Sequence, residues 1–427
     1  MIYLYRLGLM PLTVLLLPMA ALLNPKIKAG LKLRLKREAI PDFLQKPIWI
    51  HAASGEFEYA KPVIRELKAQ FPEIPVVVTY FSPTYAESIR KFGLVDFSCP
   101  LPLDLPGPCF SFIKRLNPRV LLIARTDLWP ELLTKARQQG VPSILFSCTQ
   151  KPITSPLKKW LALWRMKLVD RIICVSKEDQ RNLADIGLTA TIAGDTRYDQ
   201  VATRLNAPKP LLENLKPKST PTLIIGSSWL QDELTAIEAL KDLVANQQLK
   251  LIIVPHEPTA EHLKELKSLL DRAGLKLAIY SEGQPWDTKD VLIVDKIGIL
   301  AELYTWADMA LIGGSFKGSV HSVMEAIGAG LRVIVGPYHH NNREALEFQS
   351  VSVGKNPVVK AVAGAEEFKA YVTQLLTEPT RFKTEKTEIK QEFTRKLGAT
   401  HELLRFIDLG SNGAVSASQA GDESLHL

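Results

Sequence analysis

The chain has 427 residues, enough for two separate cores, and its 46% apolar and 23% charged composition is that of a globular protein, not a disordered or fibrous one. Its net charge of +8 is local: residues 1–37 hold seven Lys or Arg and no acid, so the remainder is nearly neutral and offers no general nucleic-acid surface. Four cysteines (Cys99, Cys109, Cys148, Cys174) show neither CxxC nor zinc spacing and read as buried thiols of a reducing compartment.

In chain order, Leu7 to Leu23 is uncharged and apolar, followed by a basic run from Lys26 to Arg37. Most of the charge follows the apolar stretch, which disfavours a cleaved signal peptide. A membrane-associated helix whose basic segment meets anionic headgroups on the cytoplasmic side fits better. Spanning and lying on the membrane are both open, as is an apolar helix packed on the protein body. From Pro47 to His51 a buried strand is expected, then a helix over Glu56 to Gln70, a strand Val76 to Tyr80, a helix Thr84 to Phe92, a strand Val120 to Ala124 and a helix Leu128 to Gln139. Ser143 to Phe146 and Arg171 to Val175 are further apolar runs. A proline-bearing stretch, Gln200 to Pro221, reads as a linker. Strands then resume at Thr222 to Gly226, Leu249 to Val254, Lys276 to Tyr280, Val291 to Val294, Met309 to Ile312 and Arg332 to Val335. Alternation of strand and helix predicts α/β architecture: two doubly wound, Rossmann-like domains facing a cleft. The expected division is a membrane-associated segment 1–37, a first domain 38–205, a second domain 206–409 and a disordered tail 410–427, rich in Ser, Gly and Ala.

Chemistry-bearing residues collect where strands end. Glu56 opens a helix after His51-Ala52-Ala53-Ser54-Gly55, where the positive helix end favours its ionised form. A carboxylate there either takes a proton from an attacking hydroxyl or simply caps the helix. Asp127 follows the strand Val120 to Ala124 and is either a ligand-touching acid or an N-cap. Arg197, in Gly194 to Asp199, either pairs with phosphate or carboxylate oxygens or forms a salt bridge between domains. In the second half Pro255-His256, Ile297-Gly298-Ile299 and Gly313-Gly314-Ser315 close strands, followed by His321, Ser322 and Glu325. Amides of the glycine turns and of a helix N-terminus are expected to cradle a phosphate, and Glu325 to accept ribose hydroxyls. Ordinary strand-to-helix punctuation is the alternative for each turn. The chain has no Walker loop, no GxGxxG and no DxD pair for a divalent metal.

Taken in order, His51 to Glu56, Pro100 to Pro106 (PLPLDLP), Thr126 to Pro130 (TDLWP), Gly194 to Asp199 (GDTRYD), Asp295 to Tyr304 (DKIGILAELY), Ala307-Asp308, Gly313 to Ser315 and His321 to Glu325 resemble the 3-deoxy-D-manno-octulosonic acid (Kdo) transferases of lipopolysaccharide synthesis. The resemblance implies a GT-B fold and an inverting, metal-independent glycosyltransferase without cofactor. It implies CMP-Kdo as donor, a lipid A precursor as acceptor and a location on the cytoplasmic face of the inner membrane. It implies Glu56 as general base, with Asp127 and Arg197 supporting the transition state. CMP would lie on Ser227, Pro255, His256, Ile297, Gly298, Ile299, Gly314, Ser315, His321, Ser322 and Glu325.

The chain departs from the family pattern in places. One residue is missing before Gly55, and Arg125 and Asp127 stand where the family reads Glu. Ser147-Cys148-Thr149 replaces Asn-Ala-Arg, Pro255-His256-Glu257-Pro258 stands for Pro-Arg-His-Pro, Ile299 replaces a Glu, and the stretch ending at Glu325 is altered. These departures leave open the donor sugar and the number of units transferred. A transferase for another acidic sugar, a sugar-nucleotide epimerase of the same fold and a non-catalytic lipid-binding relative are the alternatives.

Overall fold

The computed structural model describes residues 2–35, 40–41, 44–217, 219–283 and 285–407. The expected tail, 410–427, and the basic residues Lys36 and Arg37 lie outside them. Two compact units are present: Met1–Gln200 together with the segment from Leu397 onward, and Val201–Lys396.

The first unit carries strands β1 (Ile48–His51), β2 (Val76–Tyr80), β3 (Phe97–Pro100), β4 (Val120–Ala124), β5 (Ser143–Cys148), β6 (Arg171–Cys174) and β7 (Thr191–Ile192). They form one parallel sheet in the order β3-β2-β1-β4-β5-β6-β7. Helices cover both faces, so β1 has no solvent side. Ile48 and Ile50 enter one core cluster while Trp49 enters the other, all at 0% exposure. Each such fully buried side chain contributes roughly 1.5–3 kcal/mol of transfer free energy. The order reverses between β1 and β4, and a doubly wound sheet opens its ligand crevice outside the carboxyl ends of such a pair.

The second unit holds β8 (Thr222–Ser228), β9 (Lys250–Pro255), β10 (Leu277–Ile279), β11 (Val291–Ile293), β12 (Met309–Ile312), β13 (Arg332–Val335), a short hairpin of β14 (Ser352–Val353) and β15 (Asn356–Pro357), and β16 (Val359–Ala361). Its main sheet runs β10-β11-β9-β8-β12-β13-β16, with the reversal between β8 and β12. The Gly313-Gly314 turn that the sequence analysis singled out closes β12, and Ser227 lies near the end of β8. Glycine is required at 313, because a Cβ there would lie 2.0 Å from the Ser227 carbonyl oxygen.

Three sequence expectations change. The helix expected over Thr84 to Phe92 is a single 3₁₀ turn, Pro83–Tyr85, and a short helix, Ala86–Arg90. The linker expected from Gln200 begins inside a helix, Thr196–Asn206, because the prolines that break the chain start only at Pro208. The chain also re-enters the first unit at its end. Helix Ala399–Leu404 puts Leu403 and Leu404 into the first unit's core beside helix Phe57–Gln70. Asp199 receives the amides of Gly398 (2.8 Å) and Thr400 (2.7 Å), which fixes that return.

The N-terminal helix runs Ile2–Leu23 with a π turn at Tyr5–Leu9, then a second helix, Pro25–Leu35. At about 1.5 Å per residue it is long enough for a hydrocarbon core of roughly 30 Å. It is almost wholly exposed, with Leu7, Leu22 and Leu23 at 80%, 83% and 88%. Both ends of the pair are nevertheless tied to the first unit. Arg6 binds the fully buried Glu131 bidentately (2.8 and 2.9 Å) and the Tyr5 hydroxyl donates to Asp104 (2.8 Å). Arg34 donates to the carbonyls of Leu101 (3.0 Å) and Phe81 (2.8 Å).

Candidate functional site

At the first reversal point, the chain leaves β1 through Ala52-Ala53-Ser54-Gly55 and begins helix Phe57–Gln70. The half-buried Glu56 carboxylate turns back on this loop. Its Oε2 accepts from the Ser54 amide (2.9 Å) and the Ser54 hydroxyl (2.8 Å), while Oε1 has no hydrogen bond among the described residues. It makes no capping bond to its helix. One oxygen is thus oriented and the other carries no hydrogen bond among the described residues.

Asp127, two residues beyond β4, is not an N-cap; Trp129 occupies that position. Its Oδ2 accepts from Trp129 Nε1 (2.9 Å) and lies 2.8 Å from His51 Nε2. Burial by itself raises the carboxyl pKa, but the hydrogen bonds from His51 and Trp129 and the charges of His51 and Arg34 outweigh it. Asp127 is held below the ordinary carboxylate value. Behind His51 a buried chain continues: Nδ1 lies 3.0 Å from the Thr79 hydroxyl, which accepts from Trp49 Nε1 (2.8 Å). The same Nδ1 lies 3.1 Å from the Thr79 carbonyl oxygen, so Thr79 meets this nitrogen with a hydroxyl that can donate and a carbonyl that can accept.

Arg197 lies in the first turn of helix Thr196–Asn206 and donates to the Tyr59 hydroxyl at 3.1 Å. Arg125 donates to the same oxygen and to Thr149 Oγ1 (3.2 Å). The two guanidinium groups stand 5.2 and 5.0 Å from the Tyr59 ring centre. Burial, and then the nearby Asp195, raise the Tyr59 pKa against the opposing pull of both arginines. Tyr59 lies one turn past Glu56, so its place near the site was legible from spacing; its grip on two arginines was not.

The second reversal point gathers Ser227 (φ 54°), Pro255, His256, Gly314, Ser315 and His321 at the ends of β8, β9 and β12. The expected amide cradle is largely occupied. The fully buried Asp232 accepts from the amides of Gly314 (2.7 Å), Phe316 (2.9 Å) and Trp229 (2.9 Å). The Ser315 hydroxyl is buried and donates to the Ile312 carbonyl (2.6 Å), so it faces inward. What remains open is a stack of rings. His256 lies 4.4 Å from His321 and 4.9 Å from Trp229, Trp229 Nε1 donates to His321 Nε2 (3.2 Å), and Lys317 Nζ sits 3.1 Å above the Trp229 ring centre. Burial, then the neighbouring His256 and Lys317 charges, lower the His321 pKa, which keeps the ring available as an acceptor.

Glu325 stands in the first turn of helix Met324–Gly328, half-buried, and its carboxylate has no hydrogen-bond partner among the described residues. The Ser322 hydroxyl accepts from the Met324 amide (3.4 Å). At the end of β11 the three turn residues differ: Ile297 is 78% exposed, Ile299 is buried, and the Gly298 carbonyl accepts from Lys209 (2.8 Å). Trp229, Asp232 and Lys317 were missed by sequence reasoning. The one available signal was an acid three positions into a helix after a strand, half of a capping box.

The chain that carries these residues is similar to known proteins. Residues 28–200 match the family model described as 3-deoxy-D-manno-octulosonic-acid transferase (kdotransferase). The 3-deoxy-D-manno-octulosonic acid transferase of Aquifex aeolicus is 30% identical over 353 residues, 81% of this chain and 88% of its own length. That of Bordetella pertussis is 29% identical over 386 residues, 85% and 87%. Among solved structures, the UDP-GlcNAc 2-epimerase of Neisseria meningitidis covers 84% of this chain and 99% of its own at a TM-score of 0.60 and 14% identity. MurG of Acinetobacter baumannii covers 84% and 98% at 0.55 and 12%. The solved structures share the two-domain fold, and the sequence relatives decide the family: the chain belongs to the 3-deoxy-D-manno-octulosonic acid transferases.

Proposed function

We propose that this chain moves Kdo from CMP-Kdo to a hydroxyl of a lipid A precursor, with inversion and without a metal, in lipopolysaccharide synthesis. Family membership supports the reaction class. The observation that carries the mechanism is Glu56, whose Oε2 is fixed by Ser54 while Oε1 stays open at the reversal point of the first sheet. Glu56 accepts the proton of the acceptor hydroxyl as that oxygen bonds to the anomeric carbon of Kdo. The bond from that carbon to the CMP phosphate breaks, and CMP leaves with the electron pair on its phosphate, which needs little acid help. Asp127, pinned by His51 and Trp129, and Arg197 support the charge that develops.

The first unit, 38–205 in the sequence reading, acts as the acceptor domain, and 206–409 as the nucleotide-sugar domain. The Glu325 carboxylate receives the ribose hydroxyls and the rings of His256 and His321 line the nucleotide. Ser227, Pro255, Ile297, Gly298, Ile299, Gly314, Ser315 and Ser322 shape that pocket, Ile299 and Ser315 through backbone alone.

The helix pair at the N-terminus attaches the enzyme to the cytoplasmic face of the inner membrane. Its two tethers, at Arg6 and at Arg34, lie on one body, which favours a hairpin dipping into a single leaflet over a span. The exposed Lys28 and Lys32 then meet anionic headgroups. An apolar groove of about 460 Å³ between this pair and the sheet edge, lined by Met10, Val14, Leu17, Leu31, Phe81 and Trp129 among others, suits an acyl chain of the acceptor.

Purified protein given CMP-Kdo and a tetraacylated lipid A precursor should release CMP only when acceptor is present. Glu56→Ala and Glu56→Gln should lower kcat by about 10²–10⁴-fold, the usual worth of a general base. Release without acceptor, or release unaffected in both variants, overturns the reading and leaves an epimerase or a lipid-binding relative.

A further inference from the structure

A second groove, of about 690 Å³, opens at the same sheet edge between the ends of β4 and β5 and helix Pro156–Met166. Its wall carries three cations, Arg125, Lys158 and Arg165, and one carboxylate, Asp127, which His51 and Trp129 already engage. Arg125 is the unusual member. Its backbone is left-handed (φ 68°), a conformation costly for a side chain of this size, so the fold aims this residue at the expense of local strain. Its guanidinium is half-buried and held only by neutral oxygens, the Tyr59 hydroxyl and Thr149 Oγ1. No carboxylate forms an ion pair with it among the described residues.

A guanidinium shielded from water without a carboxylate partner loses hydration and gains little in return, which is the condition of a group awaiting an anion. The Tyr59 hydroxyl beneath it accepts from both Arg125 and Arg197 and donates to no group among the described residues. Lys158 and Arg165 are exposed at the rim, on a helix that also presents the exposed Trp160.

We propose that Arg125, with Lys158 and Arg165 at the rim, is a subsite for an oxyanion carried by the acceptor, a phosphomonoester or a sugar carboxylate. Its engagement selects which acceptor hydroxyl is presented beside Asp127, two residues on. Planar N–H pairs bind either oxyanion through two parallel hydrogen bonds, and this makes Arg125 a specificity-determining residue. The subsite rests on the transferase reading above and extends it to the acceptor's charge.

The test uses the full chain with four acceptors. These are an acylated glucosamine disaccharide with both phosphomonoesters, the two forms lacking one phosphate each, and the form already carrying one acidic sugar. Equilibrium binding by calorimetry without donor is measured beside KM and kcat. Arg125→Ala should weaken binding and raise KM by about 10–100-fold for acceptors bearing the recognised group, with kcat changed less than about threefold. Arg125→Lys, which keeps the charge but loses the fork, should restore part of the affinity. The penalty should vanish on the acceptor lacking that group. Its disappearance with one phosphate identifies a phosphomonoester, and its confinement to the acidic-sugar form identifies a carboxylate. The surface pair Lys158→Ala and Arg165→Ala should cost a few-fold, and less at high salt. An Arg125→Ala penalty equal on all four acceptors, or none on any, overturns the subsite. If wild-type protein transfers no sugar yet shows the charge-dependent binding pattern, the subsite stands and the transferase reading falls.

Discussion

Asp232 offers the most demanding check on how the second unit builds its edge. Its carboxylate is fully buried and accepts three backbone N–H bonds, from Trp229 (2.9 Å), Gly314 (2.7 Å) and Phe316 (2.9 Å). Asp232→Ala strands all three donors. Hydrogen bonds to a charged acceptor are worth about 1.5–3 kcal/mol each, which sets a ceiling near 4.5–9 kcal/mol. Relief of a buried carboxylate without a cation offsets a few kcal/mol of that, so the net loss should be about 3–5 kcal/mol. Asp232→Asn keeps an acceptor oxygen for two of the donors and turns an NH₂ toward the third, for a loss of about 2 kcal/mol. Urea unfolding followed by tryptophan fluorescence reads this directly, because Trp229, Trp286 and Trp306 all lie in the second unit. The midpoint should fall with m unchanged. The same variants should raise the CMP-Kdo KM while leaving the acceptor KM alone, since the Gly314 turn loses its anchor. A loss under about 1 kcal/mol for Asp232→Ala, or an equal loss for Ala and Asn, would show that the turn does not depend on this carboxylate.

Two further outcomes follow from other groups. Thr79→Val removes the hydroxyl between Trp49 Nε1 and His51 Nδ1 at nearly constant volume, leaving Trp49 Nε1 without its acceptor and His51 Nδ1 with the Thr79 carbonyl alone. It should cost about 1–3 kcal/mol in chemical denaturation and lower kcat as His51, the partner of Asp127, loses one of its two anchors; stability within about 0.5 kcal/mol of wild type contradicts the Trp49–Thr79–His51 chain. His321 has a folded pKa below its ordinary 6.5, so as the pH falls the unfolded chain takes up a proton before the folded one does. Its contribution is complete above about pH 6.5 and declines as pH drops from there toward the folded value. Urea midpoints at pH 7.5 and 5.5 should therefore differ more in wild type than in His321→Gln, and equal differences refute the assignment.

Much of this protein is written in its periodicity. Uninterrupted apolar runs such as Ile48–Ile50 and Val76–Val78 have no polar side to show water, so they can only be central parallel strands. Residues that end such strands, Glu56, Asp127 and Gly313 among them, are then placed at the sheet edge by chain direction alone. The family was also legible, because TDLWP and GDTRYD keep their order and spacing. Short elements were not. The edge strands β3 and β7 and the broken helix after Pro83 carry too little pattern to be read. Nor was the return of helix Ala399–Leu404 to the first unit, which depends on Asp199 capping a segment some two hundred residues away. Packing alone decided how the polar groups are spent. Sequence shows that Gly314 allows a tight turn, but only the fold shows Asp232 taking its amide. Sequence marks Arg125 as a departure, but only tertiary contacts reveal that its partners are neutral, because hydrogen-bond satisfaction is a property of neighbours in space and leaves no period in the chain.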